Sequence, residues 1–135
     1  MTPIVESAPA PLAPTYTNEE LAKKVMRQCN EVIDVKREFF SEQAVRIAEC
    51  CHTMAQAFDR GAHLLVFGNG GSSCDAAHMA VECMHPIIEK RPGLPAISLN
   101  QDTAILTAVG NDMDFSLAYV KQLKLLGRSG DIALG

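Results

Sequence analysis

The chain lacks the features that mark several functional classes. No apolar run approaches the roughly 18 residues needed to span a bilayer, and no basic segment precedes an apolar one at the start, so neither a membrane span nor a secretory signal is expected. Basic residues number 12 against 16 acidic ones, for a net charge of -4, which leaves no broad basic surface for nucleic acid. Cys29, Cys50, Cys51, Cys74 and Cys83 show no paired C-x-x-C spacing, excluding a disulfide framework and a zinc finger; reduced, mostly buried thiols are expected. Cytoplasmic residence follows from the same absences. Lysine is missing between Arg60 and Lys90, which removes the P-loop reading, and Ser73 stands where a dinucleotide fingerprint needs glycine.

What is present starts with Leu64-Leu65-Val66-Phe67-Gly68-Asn69-Gly70-Gly71-Ser72-Ser73-Cys74-Asp75, which reads as a strand, a glycine loop and a helix start in succession. Glycines there allow positive φ and close approach of a ligand, while the start of the following helix offers N–H groups and the positive end of its dipole. Ser72 and Ser73 add hydroxyls able to cap the helix and to bond phosphate oxygens. The loop is therefore a candidate site for phosphate or carboxylate.

The remaining pattern supplies the frame for that loop. Residues 1–15 carry Pro3, Pro9, Pro11 and Pro14 among small residues and are expected to form a disordered arm. Thr17 and Glu20 form a capping-box signature, followed by Leu21, Val25, Val32, Val35 and Phe39 at helical spacing. Ser41 is a candidate cap for a second helix, with Ala44, Ile47, Ala48, Cys51, Met54, Ala55 and Phe58 on one stripe before Gly61. The pair, over residues 17–60, either covers a sheet within the chain or pairs between subunits. From residue 63 to 135, short apolar runs alternate with helical segments, the sign of βαβ units and a parallel sheet. Strands are expected near 63–67, 96–99 and 131–134, and helices near 75–85, 102–109 and 114–126. In such folds ligands bind at the carboxyl edge of the strands, where the glycine loop sits.

Beside the loop, Asp75, His78 and Glu82 recur at three- and four-residue spacing and share one helix face. An imidazole and a carboxylate so placed can hold a borderline metal such as zinc, or the carboxylate can move a proton; they can equally be a solvated surface pair. Gly110-Asn111-Asp112 reads as a polar turn closing an apolar helix.

Taken together, Gly68-Asn69-Gly70-Gly71-Ser72, then Asp75-Ala76, His78, Ala80 and Glu82, then Arg91-Pro92-Gly93 with Pro95-Ala96-Ile97, then Val109-Gly110-Asn111-Asp112, resemble the sugar isomerase (SIS) domain family, and within it the phosphoheptose isomerases. The likeness runs from about residue 41 to the last residue. It implies an α/β fold with a flavodoxin-like parallel sheet, of which three strands are expected here, preceded by two long helices. It also implies a cytosolic enzyme, generally a homotetramer, that interconverts sedoheptulose 7-phosphate and D-glycero-D-manno-heptose 7-phosphate through a zinc-assisted enediol. By the same resemblance Asn69, Gly70, Gly71, Ser72, Asn111 and Asp112 would contact the sugar phosphate, His78 and Glu82 would bind zinc, and Glu82 would also touch substrate and move the proton.

Two departures qualify the resemblance. His85-Pro86-Ile87 stands where those isomerases carry a Gly-Arg-Phe-like segment, which removes or replaces a basic substrate contact. The family's Ser/Thr-rich phosphate loop, and the later Gln and His that complete its metal site, are not in this sequence, so residues 16–135 are expected to carry part of the domain and half of the site. The other function weighed is a noncatalytic SIS module that binds a phosphosugar or a protein partner, as relatives associating with the DnaA initiator do.

Overall fold

The computed structural model describes residues 16–88 and 90–135; the arm expected over residues 1–15 lies outside them. Two compact units divide the chain, one ending at Arg46 and the other running from Ile47 to Gly135.

Within the first unit the described residues form helix α1, which spans Asn18–Asp59 and so continues into the second. Its start is the capping box read from the sequence. The Thr17 N–H donates to Glu20 Oε2 at 2.7 Å and the Glu20 N–H donates to Thr17 Oγ1 at 3.2 Å, satisfying two donors that a helix start leaves open. The Thr17 N–H, more than its hydroxyl, holds the Glu20 carboxyl below its ordinary value. Where two helices were expected there is one. Ser41 does not cap a second helix; its hydroxyl donates to the Glu38 carbonyl at 2.7 Å, a bond that a serine makes inside a continuing helix. No glycine or proline interrupts residues 18–59, so nothing in the backbone forces a break there. Val25, Met26, Val32, Ile33, Val35, Phe39, Phe40 and Val45 are all exposed.

The second unit holds a three-stranded parallel sheet with helices after its first two strands in chain order. Strands β1 (Leu64–Val66), β2 (Ala96–Ser98) and β3 (Ile132–Leu134) lie in the order β2-β1-β3, with Leu65 opposite Ile97 on one side and Ala133 on the other. That order matches the opening of a flavodoxin-like sheet. As the middle strand, β1 is buried throughout, which is why it reads as a continuous apolar run rather than an alternation. Helix α2 (Gly71–Met84) lays Ala76 and Ala80 against Leu64, Val66 and Ala96, and these small side chains let helix and sheet approach closely. Met54, Phe58, Met79, Cys83 and Ile132 close the periphery of this core. Of the stripe expected from Ala44 to Phe58, Ile47, Met54 and Phe58 are partly buried while Ala44, Ala48, Cys51 and Ala55 are exposed.

Helix α3 (Thr103–Asp112) starts on Asp102, whose carboxylate accepts from the Ala104 and Ile105 N–H groups. The helix expected from residue 114 begins instead as a 3₁₀ turn, Phe115–Leu117, capped by Asp114, and continues as α4 (Ala118–Leu126). The expectation of buried thiols is corrected. Cys29, Cys50, Cys51 and Cys74 are exposed and only Cys83, packed against the core, is partly covered, because the others fall on helix faces that nothing within their unit covers.

Candidate functional site

The glycine loop occupies the carboxyl end of β1, between Val66 and α2. Two of its glycines are required for separate reasons. Gly70 has φ +55 and ψ -125, a left-handed conformation that a side chain strains, while a Cβ on Gly68 would lie 2.6 Å from the Ser72 carbonyl oxygen. At Gly71 an added Cβ would meet nothing, so its missing side chain leaves open space at the helix start. Asn69, Gly70, Gly71 and Ser72 are all exposed, as a ligand-contacting loop requires.

The start of α2 is arranged differently from the expectation. Gly70 takes the capping position with no side chain cap. The Ser73 hydroxyl donates to the Gly70 carbonyl at 2.6 Å instead of accepting from an amide, and the Ser72 and Ser73 N–H groups turn back to the Asn69 and Gly70 carbonyls at 3.1 Å. The first turn is thus tightened on itself, and what it presents outward is the Ser72 hydroxyl, the Asn69 side chain and the positive end of the helix dipole.

Sequence reasoning missed the side chains that hold this loop. Beyond β2, Asn100 takes over from the backbone ladder: its Oδ1 accepts from the Gly68 N–H at 3.1 Å and its Nδ2 donates to the Gly68 carbonyl at 2.8 Å. The Tyr119 hydroxyl, on α4, donates to the same carbonyl at 2.7 Å, receives Asn100 Nδ2 at 2.7 Å and lies 3.1 Å from Asn69 Oδ1. Its ring stacks on Phe67 with centroids 5.0 Å apart. Gln122, one turn further along α4 and buried, donates to the Leu99 carbonyl at 3.1 Å and fixes that helix to the end of β2. The one signal in the sequence was the polar run Asn100-Gln101-Asp102 directly after an apolar strand, which marks the loop edge of the sheet.

Along α2, His78 Nε2 lies 3.3 Å from Glu82 Oε1, both side chains being well exposed. The spacing therefore brings the pair together as read. An imidazole nitrogen and a carboxylate oxygen on one open face are suitable donors for zinc, and they provide two of the three protein ligands a catalytic zinc takes. Among the described residues no set of three or more His, Cys, Asp or Glu side chains converges. Glu82 also borders a pocket of about 310 Å³ shared with Met79, Cys83, Pro86, Ile87, Ile88 and Arg91. Arg91 is committed to the end of α2, donating to the Glu82, Cys83 and Pro92 carbonyls at 3.1, 3.2 and 3.0 Å, the cationic cap that a helix C-terminus favours.

Asn111 and Asp112 are the last two residues of α3 rather than a turn beyond it, the chain leaving the helix at Met113. Asn111 Nδ2 donates to Asp112 Oδ1 at 2.9 Å. Among the described residues no hydrogen bond joins either of them to the glycine loop or to the His78–Glu82 pair.

A parallel sheet with a glycine loop at its carboxyl edge and a His78–Glu82 pair on the following helix define an open α/β domain with its loop on the edge where such folds bind ligands. The SIS domain family matches residues 28–134, and the chain belongs to that family. It is 45% identical over 116 residues to the phosphoheptose isomerase of Thermodesulfovibrio yellowstonii, a stretch covering 86% of this chain and 58% of that protein. It is 40% identical to the phosphoheptose isomerase of Aquifex aeolicus over 86% of this chain and 59% of that one. Among solved structures, phosphoheptose isomerases from Neisseria gonorrhoeae and Francisella tularensis superpose with TM-scores of 0.76 and 0.75, at 34% and 32% identity, each over 84% of this chain and 58% of theirs. The chain thus spans somewhat more than half the length of these relatives.

Proposed function

We propose that this chain is part of an isomerase acting on heptose phosphates, interconverting sedoheptulose 7-phosphate and D-glycero-D-manno-heptose 7-phosphate. The observation that carries the proposal is the pairing of His78 with Glu82 directly after a glycine loop in a chain related to phosphoheptose isomerases. In this reading Asn69, Gly70, Gly71 and Ser72 receive the sugar phosphate, and Asn111 with Asp112 faces the sugar. Aldose-ketose isomerisation moves a proton between adjacent carbons through an enediol, which needs a positioned base and a partner for the developing oxyanion. Glu82, on an exposed face and bordering a pocket, is the base. His78 and Glu82 would hold a zinc ion together with ligands from outside residues 16–135, and zinc there supplies Lewis-acid polarisation of the carbonyl. Binding the loop to the remote part of the substrate orients the reacting carbons against Glu82.

Assembly through α1 is part of the same proposal. Its exposed apolar residues, from Val25 to Val45, suit pairing with a second copy of the chain, in a homo-oligomer of the tetrameric kind.

Turnover tests the proposal. The purified full-length isomerase of which this chain is part should interconvert the two heptose phosphates, in it Glu82→Gln should lower kcat by at least about 100-fold, the lower range for a lost general base, and His78→Ala should lose bound zinc. Unchanged turnover in both variants would refute the assignment.

A further inference from the structure

We propose that Tyr119 is a positioning residue of the glycine loop, and that through Asn69 it sets the loop's preference for a sugar phosphate over bare phosphate; the inference rests on the sugar-phosphate reading of this site. A phenol has one proton, and the Tyr119 hydroxyl meets three polar groups: the Gly68 carbonyl at 2.7 Å, Asn100 Nδ2 at 2.7 Å and the Asn69 amide at 3.1 Å. Asn100 Nδ2 can only donate, so the phenol oxygen accepts there. The Gly68 carbonyl can only accept, so the single phenolic proton goes to it.

The Asn69 contact is then satisfied when that amide presents its NH₂ to the remaining lone pair of the phenol oxygen, since the oxygen and nitrogen of an asparagine are assigned from their partners. That arrangement leaves the Asn69 carbonyl oxygen free. An acceptor oxygen at an anion site repels phosphate and receives a hydroxyl, so Asn69 held this way recognises the polyol part of a sugar phosphate. The helix start and the Ser72 hydroxyl remain for the phosphate.

The holder is rigid where Asn69 is not. Asn100 and Tyr119 are partly buried, the Tyr119 ring is stacked on Phe67, and Gln122 fixes α4 to the carbonyl of Leu99. Asn69 is exposed, and Tyr119 is its side-chain partner among the described residues.

The test compares wild type, Tyr119→Phe, Asn69→Ala and the double variant. The phenylalanine variant keeps the ring and its stacking. Affinities for sedoheptulose 7-phosphate and for inorganic phosphate are measured alongside the Asn69 side-chain amide signals in ¹⁵N spectra. Loss of one hydrogen bond of ordinary strength predicts sugar-phosphate binding weakened about five- to tenfold in Tyr119→Phe. Inorganic phosphate binding should stay within about twofold, the Asn69 amide signals should move, and the double variant should be no weaker than Asn69→Ala alone.

Equal losses for both ligands would mean that Tyr119 merely supports the fold and would overturn the proposal, as would unchanged sugar-phosphate affinity. If the wild type binds neither ligand, the isomerase reading fails on its own; unmoved Asn69 signals in Tyr119→Phe would then overturn the positioning role as well.

Discussion

Gly68 and Gly70 fail differently when given a side chain. An alanine at Gly70 must adopt a backbone conformation that costs about 1–3 kcal/mol, but it meets no neighbour. An alanine at Gly68 strikes the Ser72 carbonyl and must push the first turn of α2 outward, an overpacking cost of about 1–3 kcal/mol. Both variants should therefore show lower thermal midpoints. Gly68→Ala should also shift the amide signals of residues 71–73 more than Gly70→Ala does; equal shifts at these positions would contradict the assigned clash. The loop glycines and the His78–Glu82 pair were legible in the sequence because their geometry depends only on neighbours a few positions away. Asn100 and Tyr119 were not, because they reach Gly68 across 32 and 51 residues, and no local periodicity encodes such contacts.

At the scale of elements, the turn that leads from α4 into β3 depends on one carboxylate. Asp131 accepts from the His63 N–H at 2.8 Å and the Arg128 N–H at 2.8 Å, tying the starts of β1 and β3 together, with His63 Nδ1 a further 3.5 Å contact. The His63 N–H first, and then the Arg128 N–H, hold the Asp131 carboxyl below its ordinary value. A depressed folded-state pKa adds stability that is complete above the unfolded value, about 3.9 for aspartate, and is lost as pH falls through the folded one. The Asp131 contribution to the thermal midpoint should thus be complete and constant between about pH 5 and 7 and be lost in more acid solution. Asp131→Asn, which offers a single acceptor oxygen for two N–H groups, should be destabilised at neutral pH and show a smaller acid-induced loss than wild type; the same acid profile in both would contradict this role.

Strands β1, β2 and β3 and the helices between them fell close to where apolar runs placed them, α2 starting four residues earlier than expected, at Gly71 and without the serine cap. The unbroken α1 did not, because serine is compatible both with a cap and with a bond back to the preceding turn, and the sequence does not choose between them.

For the whole molecule, the exposed apolar face of α1 and the site are separate questions. Association through α1 predicts a mass above that of one chain by light scattering, and Val32→Glu with Phe39→Glu should lower it, since each places a charge on that face. An unchanged mass in the double variant would remove α1 as the interface. Titration with sedoheptulose 7-phosphate followed by ¹⁵N spectra tests the site most directly. The largest shifts should fall on Asn69–Ser72 with further groups on His78 and Glu82 and on Asn111 and Asp112, and sedoheptulose without the phosphate should leave Gly70–Ser72 unmoved. Shifts elsewhere, or the same response to the unphosphorylated sugar, would contradict the account.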